Sequence, residues 1–68
     1  MIFLIHYDRR NARTLTFKDY AETERAQALS DRLDLEIRFN TGEASQEIIL
    51  LEAPRREDLQ KTHAKYFN

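Results

Sequence analysis

Ile2-Phe3-Leu4-Ile5-His6-Tyr7-Asp8 is the stretch on which the fold turns, and it has a counterpart in Ile48-Ile49-Leu50-Leu51. Successive side chains of a strand point to opposite faces of its sheet, so four consecutive apolar residues put hydrophobic surface on both faces. The chain has only 68 residues, and a domain of that size buries only about 60 percent of the surface its unfolded chain exposes. The expectation is therefore that one sheet face is roofed by the chain's own helices and the other is left open for a partner.

Residues 2–8 read as the first strand. Asp8-Arg9-Arg10-Asn11-Ala12-Arg13 is a polar interruption with a turn-tolerant asparagine, after which Thr14-Leu15-Thr16-Phe17 alternates polar and apolar residues of strand-favouring types. These predict a hairpin whose second strand covers about 13–18. Asp19 followed by Glu22 has capping-box spacing, and the residues beyond it are mostly good helix formers, so a long helix is expected over about 19–40. Leu33, Leu35, Ile37 and Phe39 also alternate with charged residues as an amphipathic strand would. Helix is preferred there because no turn signal precedes Leu33, only Ile37 is β-branched, and Asp34 stands four residues before Arg38. Asn40-Thr41-Gly42 supplies a stop, with the sole glycine where a left-handed C-cap is wanted. A third strand covers about 46–53. Pro54 then introduces a second helix over about 55–67, whose Leu59, His63, Tyr66 and Phe67 make an apolar stripe.

The order β-β-α-β-α in a single domain spanning residues 1–68 predicts an α+β fold. The hairpin makes strands one and two antiparallel, and the intervening helix makes strands two and three run the same way. The most apolar strand belongs in the centre, giving a three-stranded mixed sheet of order 2-1-3 with both helices on one face, a two-layer sandwich. Hairpin parity decides whether Phe3, Ile5 and Tyr7 or Ile2, Leu4 and His6 line the open face.

Eleven basic against twelve acidic residues give a formal charge of −1, without the global positive field that non-specific nucleic-acid binders use. The absence of cysteine removes disulfides, thiolate nucleophiles and Cys-based zinc sites and suits a reducing compartment. The apolar runs are far shorter than the 18 or so residues of a membrane span, and no basic leader region precedes the first strand. The chain reads as soluble, unexported and complete. Neither glycine-rich phosphate loops nor nucleophile elbows nor zinc spacings occur, and no cofactor or metal is expected.

Three groups remain as candidates for binding or chemistry. Arg9, Arg10 and Arg13 form a basic hairpin pole that could hold an acidic segment or a nucleic-acid backbone, although without interleaved aromatic residues it also reads as a solvated turn. Arg55 and Arg56 stand at a helix start, where cations oppose the dipole unless an anion reconciles them. Pairing with Asp19, Glu22, Glu57 or Asp58, or extension into water, is the plainer reading. His6 and Asp8 project from one side of the sheet and make the minimal acid–base unit, but no motif ties a nucleophile or second carboxylate to them. His63 reads as packing on the second helix, and a metal joining it to His6 lacks a suitably spaced third ligand.

The strings Ile5-His6-Tyr7-Asp8-Arg9, Leu50-Leu51-Glu52-Ala53 and Thr62-His63-Ala64-Lys65-Tyr66-Phe67 resemble a group of small, uncharacterised bacterial proteins of about this length. The resemblance spans the chain and implies a bacterial, cytoplasmic, stand-alone protein, with no reaction or ligand attached. The functional expectation is thus a non-enzymatic binding or regulatory module that forms a homodimer through the open sheet face, with Phe3, Ile5 and Tyr7 at the interface. Nucleic-acid association through the basic pole is the alternative. A small enzyme, or a small-ligand or anion-binding protein, using His6, Asp8 or the Arg55-Arg56 helix start is a third.

Overall fold

The computed structural model describes residues 1–39 and 45–67. Strand β1 (Ile2–Asp8) pairs with β2 (Arg13–Tyr20) on one side and with β3 (Gln46–Glu52) on the other, in the order β2-β1-β3. The α+β class and the strand order are as the sequence indicates. Both pairings are antiparallel, so β2 and β3 run the same way but never touch, and the sheet is antiparallel rather than mixed. Helix α1 (Arg25–Phe39) connects β2 to β3, and α2 (Arg56–Thr62) leads into a 3-10 turn at Ala64–Phe67. The stretch 33–39 is helical, whereas the Asn40-Thr41-Gly42 stop lies outside the described residues.

The expectation of both helices on one face is overturned. Ile2 and Leu4 pack with Tyr20 and Ala28, with Leu35, Ile48 and Leu50 against them, so α1 covers the face presented by the even-numbered residues of β1. The odd-numbered face is covered by the C-terminal segment: Ile5 and Tyr7 pack with Tyr66, with Phe17, Ile49, Leu51 and Phe67 around them. The sandwich has three layers. The cause is a break at His63, whose φ of −133° and ψ of 50° end α2 after seven residues. The 3-10 turn beyond it brings Tyr66 edge-on to Tyr7 at 5.2 Å and Phe67 to Phe17 at 5.0 Å. The Thr14 hydroxyl fixes that turn by donating to the Tyr66 carbonyl at 2.7 Å. One short turn thus suffices to close a face that seemed to need a whole helix.

The structure also departs from expectation at the end of β2 and in the hairpin. Strand β2 continues through Asp19 and Tyr20, opposite Phe3 and Ile2, because β1 starts at Ile2 and offers its ladder to that end. Tyr20 is 3% exposed and its hydroxyl donates to Asp31 at 2.6 Å; burial, followed by that bond, pushes the phenol well above its ordinary pKa. Asp19 is therefore no helix cap. A 3-10 turn at Glu22–Glu24 comes first, where the Ala21 amide donates to the Glu24 carboxylate at 2.9 Å. The hairpin carries a bulge that neither parity anticipates: His6 pairs with Thr16 but Tyr7 with Thr14, leaving Leu15 as the extra residue, 48% exposed. Ala12 takes the left-handed backbone of the turn, with φ of 52°.

Candidate association surface

The sequence-derived interface residues lie inside the protein. Phe3 and Ile5 have no exposed surface and Tyr7 is 6% exposed, so the central strand leaves no open face for a second molecule. Their burial follows from the C-terminal turn, which the sequence presents as the end of a helix.

The basic pole is partly neutralised. Glu47, opposite Tyr7 on β3, accepts from Arg9 Nε at 3.1 Å, from Tyr66 Oη at 2.6 Å and from Lys65 Nζ at 3.5 Å. Burial pushes this carboxyl up, but the Tyr66 and Arg9 hydrogen bonds and the Lys65 and Arg9 charges outweigh it and hold Glu47 below the usual range. Arg10 and Arg13 are exposed. Glu47 is the residue whose role the sequence concealed; its one signal is an acid placed next to Ile48 on a strand otherwise apolar on that face.

Arg55 and Arg56 do not act together. Arg55 Nε lies 3.9 Å from Asp58, whereas the Arg56 guanidinium sits over Phe17 at 4.7 Å and Phe67 at 5.5 Å, capping the aromatic cluster by cation–π contact. With α2 so short, little dipole opposes them.

The structure also separates the candidate acid–base pair. His6 is fully buried; its Nε2 lies 2.6 Å from Gln46 Oε1, its ring rests on Phe39 at 4.4 Å, and its Nδ1 has no hydrogen-bond partner among the described residues. Asp8 instead closes the hairpin turn, accepting from the Asn11 amide group at 2.7 Å and from the Arg10 backbone at 3.0 Å. The Asn11 side chain, chiefly, holds the Asp8 carboxyl below its ordinary pKa. His63 stacks on Tyr66 at 6.2 Å. Among the described residues no three His, Asp or Glu side chains converge as a metal cage would require. In a groove between β2 and α1, lined by Lys18, Tyr20, Asp31 and Asp34 among others, Asp31 is engaged by Lys18 at 3.5 Å and by Gln27 at 2.8 Å.

Among the described residues Met1 and Leu15 are exposed singly, and the larger uncovered surfaces are on α1 and β3. Leu29, Leu33 and Ile37, at successive i, i+4 positions, are 51%, 56% and 73% exposed, while the helix buries only Ala28 completely. That is an apolar stripe on the side away from the sheet. Strand β3 is an edge, and Ile48, Ile49, Leu50 and Leu51 are each only partly buried. Among the described residues no helix is long and apolar enough to cross a membrane.

No protein-family model matches the chain, and neither the curated proteins nor the solved structures give a match.

Proposed function

We propose that this chain is a non-enzymatic binding module of the cytoplasm that works as a homodimer. The observation that carries the reading is the free, aliphatic edge of β3, Ile48 to Leu51, with the half-exposed Leu29 of α1 beside it. An unpaired strand edge is a template for another strand, and large aliphatic side chains in water are costly unless a second surface covers them. Symmetric homodimers are the commonest such cover. The dispersal of His6, Asp8, Arg55 and Arg56 into separate structural contacts favours binding over catalysis. Sedimentation equilibrium at micromolar to high micromolar concentration tests the reading: a reversible monomer–dimer equilibrium supports it, and a monomer throughout the range overturns it.

The exposed Arg10 and Arg13 at the hairpin tip support nucleic-acid association as a second reading. Its mark is affinity that falls steeply with salt and is lost on reversing Arg10 and Arg13 to Glu.

A further inference from the structure

We infer that two copies join through the free edge of β3, making one antiparallel six-stranded sheet with the two α1 helices side by side on the same face. The inference rests on the homodimer reading and specifies its geometry.

The two edges of the sheet differ in kind. The β2 edge carries the Leu15 bulge and the charges of Arg13, Lys18 and Asp19, the devices that discourage a strand from pairing further. The β3 edge has neither bulge nor proline nor basic residue, and its four central residues are all aliphatic. Its two acids are occupied within the molecule, Glu47 by Tyr66 and Arg9, and Glu52 by Arg25. Such an edge is a template for another strand.

The ladder fixes which groups are available. The Ala53 amide donates to the Met1 carbonyl at 3.1 Å and the Arg9 amide to the Ser45 carbonyl at 2.8 Å. In an antiparallel pair, hydrogen-bonded residues alternate with non-hydrogen-bonded ones. The odd-numbered residues of β3 therefore turn their amides and carbonyls toward β1, and Gln46, Ile48, Leu50 and Glu52 turn theirs outward. A two-fold axis through Ile49 pairs Gln46 with the partner's Glu52 and Ile48 with the partner's Leu50, using every outward group of the strand. Shifting the axis by one residue leaves an end of β3 unpaired.

Helix α1 fits this arrangement. It lies over β1 and β3, and with strands about 4.8 Å apart its axis falls about 5 Å from the dyad, so the two helix axes stand about 10 Å apart, close to helix packing distance. Arg25 reaches Glu52 at one end of β3, and Phe39 lies on His6, opposite Ile48, toward the other. The middle of α1, Arg32 to Glu36, is thus level with the axis. Arg25, Leu29, Arg32 and Glu36 share the β3-side flank, whereas Asp31, Asp34 and Arg38 lie toward β2. With antiparallel helices, Arg32 of one copy meets Glu36 of the other twice over, so the flank is complementary to itself.

The natural absence of cysteine makes a direct test possible. Ile49 and its copy form a non-hydrogen-bonded pair, with Cα atoms about 4.5 Å apart, within disulfide range. Mild oxidation of Ile49→Cys is expected to give a covalent dimer with unchanged circular dichroism, and Leu50→Cys at least about tenfold less of it. The wild-type protein gives an independent reading: amide exchange at Ile48 and Leu50 is expected to slow about tenfold or more from dilute to concentrated solution, since those amides are bonded only in the dimer. A dimer by sedimentation whose Ile48 and Leu50 amides exchange at the same rate at every concentration overturns the edge geometry and leaves the homodimer standing. A monomer overturns both.

Discussion

The Tyr66 hydroxyl donates to the Glu47 carboxylate at 2.6 Å, and this bond ties the C-terminal turn to the edge strand. Glu47 is 13% exposed and also receives Arg9 and Lys65. Tyr66→Phe removes the donor and leaves a mostly buried carboxylate short of one partner. A hydrogen bond to a charged group contributes about 1.5–3 kcal/mol, so a loss of that size is expected in urea unfolding. A change below about 0.5 kcal/mol would mean that water replaces the hydroxyl without cost.

Glu47 also sets a pH dependence. Its folded pKa is below the ordinary 4.5, so the unfolded chain binds the proton more readily. The stabilisation is fully present above the unfolded value and is lost as pH falls through the lowered folded value. Wild-type stability is expected to decline on acidification below about pH 5, and Glu47→Gln to flatten part of that decline. Equal acid sensitivity in the two proteins would assign the effect to other carboxylates, of which Asp8 and Asp31 are also held low.

Buried His6 and partly buried Gln46 form a polar pair, 2.6 Å apart. Among the described residues Nδ1 of the imidazole has no partner, and Gln46→Leu removes the one at Nε2, at a cost of about 1–3 kcal/mol. Replacing both residues, His6→Phe with Gln46→Leu, removes the polar groups together and is expected to recover most of that loss. A double-mutant cycle with no coupling would show that the contact contributes nothing.

Ala12 adopts φ of 52°, a conformation that costs a residue with a Cβ about 1–2 kcal/mol. Ala12→Gly relieves this, but the unfolded chain gains entropy worth about 0.4–1 kcal/mol. The difference predicts stabilisation of up to about 1.5 kcal/mol, read as a rise in the denaturant midpoint with unchanged slope. A fall in the midpoint would mean that the unfolded-state entropy dominates.

The parts of the fold visible in the sequence are those set by local pattern. The apolar run Ile2–Ile5 marks the central strand, and the helix-forming residues after Tyr20 mark α1, because period and propensity act over neighbouring residues. The placement of the second helix is hidden, since it depends on one backbone break at His63 and on aromatic contacts of Tyr66 with Tyr7 and of Phe67 with Phe17, far away in the chain. The interface followed the same rule. Burial of Phe3, Ile5 and Tyr7 depends on that distant turn, whereas the exposure of Leu29, Leu33 and Ile37 arises because α1 turns Ala28 and Leu35, not its larger stripe, to the sheet. A helical stripe in sequence shows that an apolar face exists, not which way it points.

Arg32 and Glu36, 3.3 Å apart within one copy, separate the proposed dimer from a merely greasy contact. Glu36→Arg places like charges together across the two-fold axis and also breaks the pair within each helix. Exposed ion pairs contribute about 0–1 kcal/mol each, and two related by symmetry are changed at once. The dimer dissociation constant is therefore expected to rise about tenfold, with about 0.5 kcal/mol or less lost from the monomer. Arg32→Glu combined with Glu36→Arg restores opposite charges within and between copies, so it is expected to return dimerisation to within about threefold of wild type. An apolar contact without register would respond to the double exchange no differently from the single reversal, and sedimentation of the two variants distinguishes the cases.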